Sequence, residues 1–403
     1  MEEEVEKVEV LERNTKSGVD SHPGPTAGLP LLMDDLILEI LSRLPARSVH
    51  RFKCVSLLWR DLIADPANRN KLPQTLAGFL YFTTDDSGHR HHFASVSGGA
   101  APFDPSLPNK YYKDMAQVDA CNGLLLYRGS SNNKLANWNW AEEDFRFLVC
   151  NPVTGRWVEL PPSPQVPENR YSCTAGLAFD PAVSSHFYVL QFEQIFLGSY
   201  ITSVNIYSSR TGAWSHRDRG MVDKVTLCFF SKFVFLCGMM YVVGNLIGNG
   251  KYEHVLLGVD MEGKVWKTIR VPYSPRIGAI GLSQGCLHYS IDSVVPFDDN
   301  NESLVSEITL WCLKDRDSKE LVLKHTANTN KLMSMTGKKY GVVEIHPDCD
   351  TIFLVSSGGD TLVAYDMRHQ KVGCILNLEK DSIKKFLPYV PLFQESLADV
   401  DEH

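Results

Sequence analysis

The sequence predicts a small module of three helices at the N-terminus followed by an all-β propeller, most simply of six blades. Three observations predict it. The segment from Leu32 to Arg69 carries apolar residues at helical spacing, and nothing beyond Leu76 continues that pattern. From Gly78 onward an apolar strand, a polar turn and a second strand recur, with a large residue just after each turn. Those residues are Trp157, Trp214, Trp266, Leu321 and Val372, and subtraction spaces them 57, 52, 55 and 51 apart. A four-stranded propeller blade needs a pitch of that size, whereas a β-sandwich, the structural alternative, does not require an even one.

The elements follow in order. Residues 1–28 read as a disordered arm, acidic in MEEEVEKVEVLERN and then Pro/Gly-rich in SHPGPTAG, with no apolar core of a secretory signal. Residues 29–74 hold the helices and a connector. Asp34 and Asp35 suit the positive end of a first helix, on which Leu36, Ile40, Leu41 and Leu44 are placed on one face, and Pro45 stops it. Val49, Phe52 and Val55 repeat the pattern at a spacing of three. Ser56 then caps a helix bearing Trp59, Leu62 and Ile63. A unit of about forty residues is near the size below which a chain cannot bury enough surface alone. Unless the module packs on the strand domain, its apolar surplus calls for a partner protein.

The motifs DDLILEILSRLP, RFKCVS and WRDLI, in that order and spacing, resemble the F-box. The resemblance implies docking onto the Skp-type adaptor of a cullin–RING ubiquitin ligase. It assigns Leu36, Ile40, Leu41, Leu44, Pro45, Val49, Phe52, Val55 and Trp59 to the adaptor interface. Two departures stand out. Leu32-Met33 occupies the place where the family has Leu-Pro, and Leu57 and Leu58 replace residues that are commonly polar.

Residues 75–395 form the expected propeller, with 396–403 as an acidic tail. The turns are clearest in FLVCNPVTGRWVELP, VNIYSSRTGAWSHRD and VLLGVDMEGKVWKTIRVP. Gly155 and Gly212 supply positive φ where antiparallel strands reverse, and the large residue after each turn is placed between blades. The first unit, 78–96, supplies only the outer strands of a blade, and FLPYVPLF near the C-terminus is the segment expected to complete it. That count gives six blades, or seven if two have been merged. The region resembles the kelch-like and F-box-associated β-domains that follow F-boxes in large plant families.

Second-to-third strand loops share one propeller face, and four are long: roughly 129–145, 193–201, 245–253 and 292–307. The first offers Trp138 and Trp140 as binding anchors and the last is acidic, with Asp298 and Asp299. These four residues are the candidate target contacts. A fold-back of both tryptophans and a simply solvated acidic loop are the bland readings beside them.

Catalytic and metal motifs are not expected. His89 and His91 fall on one strand face and His92 on the other, so the cluster does not converge, and the HPDCD run at 346–350 fits an inter-strand turn. The net charge of −8 argues against general nucleic-acid binding. The apolar run at 228–248 is broken by Lys232, Gly238 and Asn245, so two strands are expected and no membrane span. Ten dispersed cysteines fit reduced thiols in the cytoplasm or nucleus. The expected protein is a non-catalytic substrate receptor without cofactor. Its partners would be the adaptor, through it the ligase, and a target protein the sequence does not identify. The alternatives are a propeller scaffold, or a small-molecule-binding propeller whose F-box only controls turnover.

Overall fold

The computed structural model describes residues 34–393 apart from 45, 69–70, 86–87, 106–114, 131–144, 165–171, 195–199, 222, 228–230, 249–250, 296–303, 316 and 380–384. The expected arm and tail lie outside the described residues, as does Pro45.

Three short helices open the chain: α1 (Asp34–Ser42), α2 (Ala46–Phe52) and α3 (Leu57–Ala64). Asp34 and Asp35 sit in the first turn of α1. Ser56 caps α3, its hydroxyl accepting from the Trp59 amide at 3.2 Å. The helices enclose a core of their own, built from Ile37, Leu38, Leu41, Val49, Ile63 and Leu72.

The remaining strands form six sheets. Blade I begins with β1 (Gly78–Asp85) and β2 (Gly88–Ser95). Blade II holds β3 (Ala116–Cys121), β4 (Leu124–Ser130), β5 (Phe145–Asn151) and β6 (Arg156–Glu159), and blade III holds β7 (Ser172–Ala178), β8 (Tyr188–Gln194), β9 (Ile201–Ser208) and β10 (Ala213–Asp218). In blade IV the innermost strand is split into β11 (Val225–Leu227) and β12 (Phe233–Leu236), followed by β13 (Met239–Gly248), β14 (Lys251–Asp260) and β15 (Trp266–Arg270). Blade V contains β16 (Ala279–Ser283), β17 (Cys286–Val295), β18 (Leu304–Leu313) and β19 (Leu321–Asn328). A short helix, α4 (Asn330–Thr336), leads to blade VI with β20 (Tyr340–Ile345), β21 (Thr351–Ser356), β22 (Thr361–Asp366) and β23 (Lys371–Asn377). The last strand, β24 (Leu387–Tyr389), returns to pair with β1, placing Leu387 opposite Leu80 and Tyr389 opposite Gly78. The ring is therefore closed by the segment that the sequence nominated. Blade I has three strands among the described residues. Among the described residues of the propeller, α4 is the one helix, and no strand periodicity in NKLMSMT opposes it.

Alternation along the strands explains how the ring packs. Successive side chains point to opposite sheet faces. On β4, Leu124 and Leu126 join the core shared with blade III, while Leu125 and Tyr127 join the core shared with blade I. Six such apolar clusters separate the blades, one for each neighbouring pair. All five pitch-setting residues serve them: Trp157, Trp214, Trp266, Leu321 and Val372 each pack in the cluster shared with the preceding blade.

The turns carry the expected backbone. Gly155 and Gly212 have φ of 69° and 64°. First-to-second strand turns are tight as well, with positive φ at both residues of Asn122-Gly123, Cys237-Gly238 and Gln284-Gly285. That geometry is the two-residue hairpin turn whose twist matches the flanking strands. The apolar run at 228–248 accordingly contains the β12–β13 hairpin, and among the described residues no helix is long and apolar enough to cross a membrane.

Two of the long loops expected on the target face are shorter than the sequence suggested. β13 and β14 stay paired out to Gly248 and Lys251, and β17 and β18 out to Val295 and Leu304. The flanking residues 245–248, 251–253, 292–295 and 304–307 are therefore strand and not loop.

Candidate docking surface and propeller axis

The outer surface of the helical module follows from helix geometry. At 3.6 residues per turn, Ile37, Leu38 and Leu41 share one stripe, and Leu36 and Ile40 share another about a quarter-turn or more away. The first stripe is buried, with Leu41 at 0% exposure, while Leu36 is 50% and Ile40 44% exposed. Beyond α2, Val55, Leu57 and Leu58 are also exposed. Phe52 and Trp59 are half-buried, their rings 5.1 Å apart, and cover the module core together with Leu44.

Burial divides the residues that the resemblance assigned to the adaptor interface. Leu41 and Val49 lie inside the module core. Placing Leu36, Ile40, Leu41 and Leu44 on a single face ignored the rotation between Ile40 and Leu41. Leu44, Phe52 and Trp59 contribute an edge at most, whereas Leu57 and Leu58 join the exposed set. Their signal was present in the sequence as two adjacent leucines directly after the Ser56 cap.

The second feature is the propeller axis, where the inner strands of neighbouring blades meet. It is polar, and all six blades contribute. Lys232, just before β12 of blade IV, reaches Glu344 on β20 of blade VI with a charge-assisted hydrogen bond. The same oxygen, Glu344 Oε1, also accepts from the Ile345 amide at 2.9 Å. Blade V approaches through Gly281, where a Cβ would lie 2.8 Å from the Ile345 Cβ and 3.3 Å from Glu344 Oε1. On blade II, Asp119 Oδ2 accepts from the Leu177 amide of blade III at 2.8 Å. Lys385, which precedes β24 in blade I, donates to the Val118 carbonyl of blade II at 2.5 Å.

Burial dominates the electrostatics of this cluster. It pushes the Asp119 carboxyl up to about 6, against the pull of Lys385 and Lys232 and of backbone amides. Burial likewise raises Glu344, with Lys232 opposing, and lowers Lys385, with Asp119 opposing. Glu344 Oε2 and both amide atoms of Gln117 are buried without a hydrogen-bond partner among the described residues.

Two family models match the chain. The F-box domain covers residues 29–71, and the model described as "F-box protein At3g26010-like, beta-propeller" covers residues 101–388. The chain belongs to this family of F-box propeller proteins. Related members come from Arabidopsis thaliana. The F-box protein At5g07610 is 28% identical over 51% of this chain and 50% of its own length. The putative F-box protein At1g47790 is 24% identical over 78% of this chain and 77% of its own. The putative F-box/kelch-repeat protein At4g22430 is 28% identical over 52% and 50%. The chain thus spans about half the length of two of these three relatives.

For this F-box propeller, the target-contact candidates Trp138, Trp140, Asp298 and Asp299 lie outside the described residues. The histidine run divides as expected: His91 Nε2 bonds the Met115 carbonyl at 3.0 Å, and His92 bonds Thr83 Oγ1 at 2.9 Å. No group of three metal-ligating side chains occurs among the described residues. The HPDCD segment is the β20–β21 turn, and it also latches blade VI to blade V. Asp350 accepts from Lys324 at 2.6 Å, Gln284 at 2.7 Å and His325 at 3.0 Å, and these partners hold its carboxyl at about 2 despite burial.

Proposed function

We propose that this chain is the substrate-receptor subunit of a Skp–cullin–F-box ubiquitin ligase. The helical module docks the adaptor, and the propeller face carrying the second-to-third strand loops holds a target protein. The chain contributes proximity and no bond chemistry of its own. It raises the effective concentration of target lysines near the conjugating enzyme.

One observation carries this reading. The helical module has a closed core, yet Leu36, Ile40, Val55, Leu57 and Leu58 remain outside it. Full burial of a large apolar side chain is worth roughly 1.5–3 kcal/mol, so completing the burial of five half-covered ones supports a firm interface after association costs. Free cysteines throughout the described residues fit a reducing compartment, the cytoplasm or nucleus.

The test is adaptor recovery by the tagged full chain and by a Leu36→Asp, Leu57→Asp variant of equal stability. Loss of adaptor from the variant is expected; equal recovery would overturn the reading. A second reading, a propeller that binds a small molecule, is favoured by the convergence of charged groups at the axis.

A further inference from the structure

We propose that Tyr200, Arg219 and Lys224 form a receptor for an acidic segment of the target protein, on the propeller face that carries the second-to-third strand loops. The inference rests on the target-receptor reading of that face and names the chemistry the face selects.

Chain connections bring the three residues together. Tyr200 directly precedes β9, at the end of the second-to-third strand connection of blade III, and Arg219 directly follows β10. Because β9 and β10 are antiparallel, those two ends are neighbours, and the Arg219 amide donates to the Thr202 carbonyl at 3.0 Å. Lys224 directly precedes β11. Its carbonyl accepts from the Ile247 amide at 2.7 Å, next to the tip of the β13–β14 hairpin of blade IV. The group therefore sits between the second-to-third strand connections of two adjacent blades. The side chains meet on one ring: the guanidinium carbon of Arg219 is 4.5 Å and Lys224 Nζ 5.3 Å from the Tyr200 centroid.

An aromatic face attracts each cation but neutralises neither, and the two cations repel each other. Among the described residues neither forms a salt bridge. Asp218, beside Arg219 in sequence, is directed at His216 at 3.7 Å, and Asp223, beside Lys224, is exposed. Arg219 is half-buried, and its Nη1 is buried without a hydrogen-bond partner among the described residues. The guanidinium has thus lost part of its water on one side, which strengthens an ion pair made on the other. A carboxylate fits it, because two oxygens can accept from the guanidinium fork, and the Lys224 ammonium supplies donors for a second acid nearby. A protein segment fits better than nucleic acid. Two cations on a chain of net charge −8 match one or two carboxylates, whereas a phosphate backbone is held by many contacts.

The test is fluorescence anisotropy of the full chain with labelled hexaglutamate and hexalysine, at about 50 mM salt so that exposed charges are not screened. Saturable binding of hexaglutamate, tighter than hexalysine, is expected, although the net charge of the chain favours the opposite order. Arg219→Gln, Lys224→Gln should weaken hexaglutamate at least about tenfold, as for losing hydrogen bonds to charged groups. Arg210→Gln, Lys371→Gln removes the same charge from exposed positions at third-to-fourth strand turns on the other face and should leave binding unchanged. No hexaglutamate binding, preference for hexalysine, or equal weakening by the two double variants would overturn the proposal. The peptide comparison uses the unaltered chain, so a variant that fails to fold does not remove the test. Adaptor recovery from the same samples reports docking separately: its loss would count against the ligase reading, and a failed peptide result with adaptor retained strikes the acidic-segment proposal alone.

Discussion

The helical module leaves apolar side chains outside a finished core, and the propeller leaves charged side chains inside one. Each region breaks the ordinary partition of residues, and the two do so in opposite directions. In the module the cause is size: a three-helix unit has one buried stripe per helix, so Leu36, Ile40, Val55, Leu57 and Leu58 stay outside. In the propeller size is not limiting, because six apolar interfaces already close the ring. Its axial charges are thus a separate feature, added where the fold did not need them. The comparison teaches that the two irregularities are of different kinds. One is an apolar surface left outside a core, and the other is a set of charged side chains drawn into an interior.

The sharpest way to break the comparison is to open the ring. Phe79 is fully buried on β1 with its ring centroid 4.5 Å from Phe353, so it joins blade I to blade VI. Phe79→Ala should destabilise the propeller by about 3–5 kcal/mol in urea unfolding, while leaving the helical module's adaptor contact intact. A smaller effect is expected at the axis. Lys232→Met strands the buried Glu344 carboxylate and should cost about 3 kcal/mol, and adding Glu344→Met should restore most of it. Failure of the second change to rescue the first would mean that the pair does not act as a unit.

A pH effect of lesser size separates interior charge from surface charge. Burial holds the Asp119 carboxyl at about 6 in the folded chain against an ordinary 3.8, so between those values the folded chain keeps a proton that the unfolded chain releases. Its stabilisation is complete below about pH 4 and is lost as pH rises through about 6. Comparing urea midpoints of wild type and Asp119→Asn at pH 4 to 7 should show the difference changing across that window. Asp350, held at about 2, contributes with the opposite sign: its stabilisation is present above 3.8 and lost as pH falls toward 2. The smallest stability effect belongs to the docking surface. Leu36→Asp and Leu57→Asp should each change the unfolding free energy from urea titration by no more than about 0.5 kcal/mol, because neither side chain is in a core.

Much of the fold was legible because its signals are local. A large residue after each polar turn sets the blade pitch, and a short apolar C-terminal segment completes a blade that starts with two strands. Both depend only on spacing along the chain. The docking surface was half legible. The periodicity located the helices, but a step of about 100° around the helix separates Ile40 from Leu41, and a contiguous motif hides that step. The axis was not legible at all. Asp119, Lys232, Glu344 and Lys385 lie far apart in sequence, each as a single charged residue in or beside an ordinary strand. Only closure of the ring brings them together, and no short window carries that information.

The central claim is that the exposed stripe, and not the buried one, meets the adaptor. The direct measurement is the dissociation constant of a Skp-type adaptor for the full chain and for Leu36→Asp, Leu57→Asp, with far-UV circular dichroism and urea midpoints confirming equal folding. Weakening by at least a hundredfold, about 2.7 kcal/mol, is the expected result. An unchanged constant in an equally stable variant would contradict the account.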